Sequence, residues 1–336
     1  MIHGSSWKFH APRPRAPRLG RDDRTALSAR FYRTTTAISR RTGSWFFRVS
    51  AWFVAAGFFF LFPNRVATSV RFYRALYPEK SLAYALRCAW RQYHNFTAVF
   101  LDRHRLEAGE RIEYTSRGWE HLETARAQGN GAILLMSHLG NWEMAAHLLK
   151  RRGPEIPLML YMGTRRREQI ETMQKQSLAR RGIRVAAADP DAGSPLDIIE
   201  GLSFLRSGGI VSMTGDVIRP RDRRTVPVEF LGHEARVSEI PHTLALASGA
   251  PILVLFAFRT GDARYVFSLT EPRHVRARNR ADRHAAARRS ARAYADLLET
   301  TLREHPLEWY HFRPFLGNRV PPSGAFGENP MDSNDL

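Results

Sequence analysis

The sequence predicts an α/β domain with a single mixed, mostly parallel sheet flanked by helices, behind an N-terminal membrane-associated helix. Three observations support this fold class. Hydrophobic residues make up 43% of the 336 residues, which is enough for a sizeable core. Short apolar runs, typical of strands covered on both faces, alternate with segments of helical periodicity. An apolar, aromatic-rich segment precedes them all.

The N-terminal region divides into two parts. Residues 1–40 are predicted to be a basic, disordered tail, because their first half is rich in Pro and Arg and lacks apolar periodicity. Residues 41–66 are predicted to form a membrane-associated or transmembrane helix, since no charge occurs between Val49 and Pro63. That stretch is shorter than the ~20 residues that cross a bilayer. A spanning helix, an interfacial helix and a buried core helix therefore remain alternatives.

Residues 67–316 are predicted to form the α/β domain. Residues 66–128 have helical patterns, and 281–303 have the pattern of a basic helix. The last two strand candidates are predicted to pair antiparallel across the Gly261-Asp262 turn. Residues 317–336 are rich in Pro, Gly, Asn and Asp and are predicted to be disordered. The predicted strands are 131–136, 158–161, 183–185, 210–213, 252–258 and 265–269.

Charge and cysteine content limit the possible partners. The net charge of +19 and the pI near 11.0 favour a polyanionic neighbour: an anionic membrane surface, a phosphorylated substrate or nucleic acid. We expect no nucleic-acid partner, because zinc-finger spacing and an aromatic RNA-binding motif are both absent. Cys88 is the only cysteine, which excludes an intrachain disulfide and a thiolate zinc site. We expect no metal and no cofactor.

One motif suggests acid–base chemistry. His138 and Glu143 follow a predicted buried strand and are five residues apart. On one helix they would diverge by ~140°, so we expect a strand-turn-helix bend at Gly140 to bring them together. Glu143 would then orient the ring and leave its other nitrogen free as a base. A chance pairing is the alternative, since this spacing is common.

Several ordered blocks resemble a known family. They are 137–143, 215–216 with 219–221, 228–235, 247–251 and 306–312. Together they are similar to the bacterial lipid A biosynthesis lauroyl and myristoyl acyltransferases of the lysophospholipid acyltransferase superfamily. The resemblance implies that family's fold and a catalytic His138–Glu143 dyad. It also implies transfer of a fatty acyl chain from an acyl carrier protein or coenzyme A thioester to a hydroxyl of a membrane lipid.

The resemblance further implies a location and a class of acceptor. The catalytic domain is expected on the cytoplasmic side of the bacterial inner membrane. The acceptor is expected to be a lipid A precursor or a related glycolipid. The segment 69–78 looks closer to acyltransferases of other glycolipid or aryl-polyene pathways, so a lysophospholipid or an aryl-polyene-type lipid is an alternative. A catalytically inactive membrane scaffold and a nucleic-acid-binding protein are alternatives from other classes.

Further residues are predicted to bind substrate. Asn141 is expected to support the turn or an oxyanion, with an Asx turn as the alternative. Asp216 is expected to hold an Arg or the acceptor head group, with a helix cap as the alternative. Four arginines are expected to hold phosphate, with a solvated surface as the alternative. They are Arg165, Arg166, Arg219 and Arg221.

Overall fold

A mixed sheet carries the fold in the computed structural model, which describes residues 44–163, 182–188, 195–218 and 224–321 and a few isolated positions. Within these residues seven strands form one sheet and two more form a hairpin. The predicted α/β class, with a mixed, mostly parallel sheet flanked by helices, is confirmed. The membrane association of the N-terminal helix stays a prediction. The helices are α1 (Ser44–Leu61), α2 (Pro63–Leu76), α3 (Leu82–Glu107), α4 (Trp119–Ala127), α5 (Trp142–Arg152), α6 (Pro195–Arg206), α7 (Ile240–Ser248) and α8 (Arg283–Glu304).

The strands are β1 (Glu113–Arg117), β2 (Ala132–Met136), β3 (Leu158–Gly163), β4 (Arg184–Ala188), β5 (Ile210–Thr214), β6 (Thr225–Phe230), β7 (His233–Ser238), β8 (Ile252–Gly261) and β9 (Arg264–Leu269). The strand order of the main sheet is β1-β9-β8-β2-β5-β3-β4. The β8–β9 pair is antiparallel, as the sequence predicts, and the other pairings in this sheet are parallel.

Helices cover both faces of the sheet. Alternate residues of β2 point to opposite faces, so Ile133 and Leu135 enter one apolar cluster while Leu134 and Met136 enter the other. The first cluster is completed by α2, the first part of α3, α6, α7 and α8, and the second by α4 and α5. Burial on both faces explains why β2 is a continuous apolar run.

β1, the β6–β7 hairpin and residues 317–321 differ from the expectations, and neither hairpin strand was among the predicted strands. β1 lies in a region predicted to be helical, and it pairs with the edge strand β9. Its β-branched and aromatic residues Tyr114 and Thr115 are a strand signal that the helical interpretation overlooked. Residues 317–321, assigned to the disordered tail, instead lie against the β6–β7 hairpin, where Gly317 N donates to Glu234 O and Val320 N to Gly232 O.

The N-terminal helices α1 and α2 meet at a bend of 91° beside Phe62. Among the described residues no single helix is long and apolar enough to cross a membrane, and only the bent pair passes that criterion together. α1 packs on α3, for example through Trp52 and Phe59 against Trp90. Much of its apolar surface remains exposed, including Phe53 at 65% and Phe60 at 72%.

Candidate active site

The candidate site lies where two neighbouring parallel strands end. Met136 of β2 pairs with Thr214 of β5. Two residues beyond Met136 comes His138, and two residues beyond Thr214 comes Asp216. Because the carboxyl ends of parallel strands lie at one edge of the sheet, this register brings the two side chains together.

Asp216 holds the His138 ring through a hydrogen bond. Its Oδ1 atom lies 3.1 Å from His138 Nδ1, and its Oδ2 accepts from the His138 backbone N–H at 2.7 Å. A carboxylate only accepts, so Nδ1 carries the proton and Nε2 keeps its lone pair. The Asp216 side chain is 0% exposed and the His138 side chain is 31% exposed. The arrangement is a buried acid that orients an accessible imidazole.

The two groups shift each other's pKa. Burial lowers the pKa of His138, but the charge and hydrogen bond of Asp216 outweigh it and the pKa lies above its ordinary value of 6.5. Burial raises the pKa of Asp216, but the charge of His138 and its hydrogen bonds lower it to about 2. Asp216 is therefore ionised at neutral pH.

The turn after His138 is set by Gly140 and Asn141. Gly140 has φ +79°, and a Cβ atom there would lie 2.6 Å from the Ala257 carbonyl oxygen. Asn141 caps α5, since its Oδ1 accepts from Met144 N at 3.1 Å. Its Nδ2 donates to Tyr265 Oη at 3.1 Å, and that hydroxyl in turn donates to the buried Asp102. This Asx-type cap is the alternative role given for Asn141 above, and the oxygen and nitrogen of its side-chain amide both help to hold the turn.

Glu143 has a different partner from the one expected. It lies in the first turn of α5 and is 3% exposed. Arg103 of α3 donates from Nε to both its carboxylate oxygens at 2.9 Å, and Nη2 forms a further close contact. The sequence predicts that Glu143 orients His138, whereas in the structure Asp216 occupies that position. The reason is that the bend turns the first turn of α5 towards α3.

The C-terminal segment closes the site from the other side. Trp309 Nε1 donates to Asp216 Oδ2 at 3.1 Å, and Tyr310 N donates to His138 O at 2.8 Å. His311 stacks on Trp309, and its ring centroid lies 5.5 Å from that of His138. Burial lowers the pKa of His311 to about 4, so this second imidazole is neutral at physiological pH.

Two cavities meet at this segment. A cavity of about 990 Å³ lies between α8, the β6–β7 hairpin and residues 311–317, and both Asp216 and His311 line it. A smaller cavity of about 210 Å³ lies between α2 and residues 311–316. The imidazole of His311 is therefore next to both spaces.

The four predicted phosphate-binding arginines lie outside the described residues. They are Arg165, Arg166, Arg219 and Arg221. Of the other predicted site residues, the structure brings His138, Asn141 and Asp216 to one edge of the sheet, with Glu143 behind the turn. Among the described residues no group of three or more His, Cys, Asp or Glu side chains is placed to hold a metal ion.

Comparison with known proteins identifies the family of the chain. The family model described as bacterial lipid A biosynthesis acyltransferase matches residues 89–316. The chain belongs to this family. The region that matches the acyltransferase family runs from the first half of α3 to the C-terminal segment that bonds Asp216. The resemblance in the sequence is confirmed.

Three curated relatives are each called phosphatidylinositol mannoside acyltransferase. Those from Mycobacterium tuberculosis are 26% identical over 172 residues (49% of each chain) in strain H37Rv and 28% identical over 144 residues (40% and 41%) in strain CDC 1551. The third, from Mycolicibacterium smegmatis, is 26% identical over 182 residues (52% and 53%). The matches span about half the length of these relatives.

Arg103 and His311 are parts of the site that were not predicted from the sequence. Arg103 lies on a helix 40 residues before Glu143. Nothing in the periodicity of α3 marks its inward-facing cation. His311 was available within the C-terminal block that resembles the family, and the nearby Trp309 was a signal that this block is buried.

Proposed function

We propose that the chain transfers a fatty acyl group from an acyl thioester to a hydroxyl of a membrane glycolipid, with His138 as general base and Asp216 as its positioning partner. The observation that carries the proposal is the 3.1 Å bond between His138 Nδ1 and Asp216 Oδ1 at the ends of adjacent strands. A carboxylate that fixes the tautomer of an accessible imidazole is the arrangement that hydroxyl deprotonation needs.

The chemistry balances without a covalent enzyme intermediate. Nε2 of His138 takes the proton of the acceptor hydroxyl as its oxygen attacks the thioester carbonyl. The tetrahedral intermediate then breaks its C–S bond, and the leaving thiolate takes the proton back from the imidazolium. Asp216 stabilises the imidazolium as an ionised carboxylate, in keeping with its pKa of about 2.

The identity of both substrates belongs to the proposal. The donor is an acyl carrier protein or coenzyme A thioester. The names of the relatives favour a glycolipid acceptor related to phosphatidylinositol mannoside, while a lipid A precursor is the acceptor suggested by the family description. Lysophospholipid and aryl-polyene acceptors receive no support from these names. We therefore rank the phosphoinositol glycolipid first.

We also propose that the enzyme works on the cytoplasmic side of the bacterial inner membrane. The net charge of +19 favours attachment to anionic lipid. The exposed aromatic side chains of α1, such as Trp45 at 60%, would be buried at the lipid interface. An interfacial helix agrees with the sharp bend between α1 and α2.

The test is acyl transfer by the purified full chain in mixed micelles. His138→Ala should fold normally and lower the rate by about 10²–10⁴-fold through loss of the base. His274→Ala, at an exposed histidine remote from the His138–Asp216 pair, is the matched control. Full activity of His138→Ala, or an inactive wild-type protein that binds lipid only, would contradict the proposal. The second result would favour the membrane scaffold.

A further inference from the structure

The cavity beside the reaction centre, here named the hairpin cavity, has walls of mixed charge. It is the 990 Å³ space between α8, the β6–β7 hairpin and the C-terminal segment. Besides the buried Asp216, three cations and three carboxylates line it, all six on exposed residues. They are Arg236, Arg292, Arg313, Glu229, Glu234 and Asp296.

These charges are available to a ligand. Within the part of the chain that the structure describes, none of the six takes part in an ion pair with another protein group. Arg236 makes one polar contact, to Thr225 Oγ1 at 2.9 Å. These described arginines and carboxylates line the same cavity, yet they do not pair with each other. The wall therefore has unused donors and acceptors next to Asp216 and His311.

We infer that the hairpin cavity binds the head group of the acceptor, and that this head group is a phosphorylated polyol. The inference rests on the proposed function. Guanidinium groups bind phosphate through paired charge-assisted hydrogen bonds. Carboxylates accept hydrogen bonds from hydroxyls and so suit a polyol ring. An exclusively anionic ligand would be repelled by Glu229, Glu234 and Asp296, and a neutral sugar would leave the arginines without a partner.

The position of the cavity fits an acceptor site. Asp216 and His311 lie in its wall, so a head group there presents its hydroxyls to the edge where His138 stands. The acyl donor also carries phosphate, on its pantetheine arm or nucleotide. The carboxylates of the hairpin favour the acceptor, and kinetics with each substrate varied in turn separates the two sources.

The first experiment uses charge removal on the cavity wall. Arg236→Gln/Arg292→Gln should raise the KM for phosphatidylinositol mannoside about tenfold or more, because charged hydrogen bonds are lost. Its kcat and its KM for the thioester should stay near wild type. The matched control is Arg278→Gln/Arg288→Gln, which removes the same charge from exposed sites outside the cavity. A rise in thioester KM instead, or an equal effect in the control, would overturn the inference.

The second experiment does not depend on catalysis. Calorimetry should detect inositol 1-phosphate binding to wild type and to His138→Ala, weaker binding to Arg236→Gln/Arg292→Gln, and weaker binding to Glu229→Gln/Glu234→Gln. Inorganic phosphate has no hydroxyls for these carboxylates to bind, so it should bind Glu229→Gln/Glu234→Gln at least as tightly as wild type, because the variant repels an anion less. Equal binding by all variants would overturn the inference. Binding by a wild-type protein that transfers no acyl group would support the head-group site while contradicting the proposed reaction.

Discussion

His138 and Asp216 are 78 residues apart in the chain, and their side chains meet with Nδ1 3.1 Å from Oδ1. Each follows the end of its strand by two residues, and the two strands are neighbours in the sheet. The contact is therefore a product of sheet order and register. It is fixed further by the Trp309 indole, which donates to the same carboxylate. Asp216 therefore bonds the ring of His138, the backbone N–H of His138 and the C-terminal segment.

The first prediction concerns Asp216. Asp216→Asn keeps the volume of the side chain but removes the charge that stabilises the imidazolium and fixes its tautomer. We expect kcat to fall by about 10³–10⁴-fold, with KM for the acceptor little changed. Steady-state kinetics with circular dichroism of the purified variant measures this. Retention of more than a tenth of wild-type kcat would show that another group orients the ring.

The second prediction separates Glu143 from catalysis. Glu143→Gln leaves the Arg103 charge buried without its carboxylate, at a cost of about 3–5 kcal/mol in unfolding free energy. Its kcat per folded molecule should fall far less than that of Asp216→Asn. Urea denaturation and kinetics measure the two effects. The double variant Arg103→Gln/Glu143→Gln should recover part of the lost stability. A large loss of kcat in a fully folded Glu143→Gln protein would instead support the His138–Glu143 dyad predicted from the sequence.

The third prediction is a pH profile. The base acts when the His138 ring is neutral, so kcat/KM should rise with pH through the pKa of that ring. Asp216 keeps this pKa above 6.5, so the midpoint should lie above 6.5 in wild type and move down in Asp216→Asn. His311, with a pKa of about 4, stays neutral across this range. A wild-type midpoint below 6.5 would count against a His138–Asp216 ion pair.

The pKa shifts of His138 and Asp216 also determine how the folding stability changes with pH. Because the pKa of His138 is raised in the folded state, its contribution is present below pH 6.5 and is lost as pH rises through the folded pKa. The contribution of Asp216 has the opposite direction. It is present above the ordinary pKa of 3.8 and is lost as pH falls towards 2.

Much of the fold was predictable because burial leaves a pattern in the sequence. The runs that became β2, β5 and β8 are continuous and apolar since both faces of the sheet are covered. β1 was missed because an edge strand of five residues with alternating exposure leaves a weak signal within a helical region. The bend at Gly140 followed from the spacing of the motif.

The partner of His138 was not predictable in the same way. Periodicity identifies strands but does not give their order, so the adjacency of β2 and β5 was invisible in the sequence. The sequence predicts that Asp216 holds an Arg or the acceptor head group, or caps a helix, whereas in the structure it bonds the histidine. Likewise, nothing local to Glu143 indicated that Arg103 of α3 would reach its carboxylate.

The last prediction concerns α1 and the membrane. Phe53 and Phe60 are 65% and 72% exposed, and lipid would remove this apolar area from water. Phe53→Ser and Phe60→Ser should each weaken binding to anionic liposomes by about tenfold or more, since burying one Phe contributes about 1.5–3 kcal/mol. Ile199 of α6 is an apolar side chain of similar exposure, at 58%. Ile199→Ser is therefore the matched control and should leave binding unchanged. Sedimentation with phosphatidylglycerol vesicles at low and high salt separates this apolar contribution from the attraction of the basic surface, which salt screens. If both Phe variants bind like wild type at high salt, α1 does not enter the lipid interface and attachment depends on charge alone.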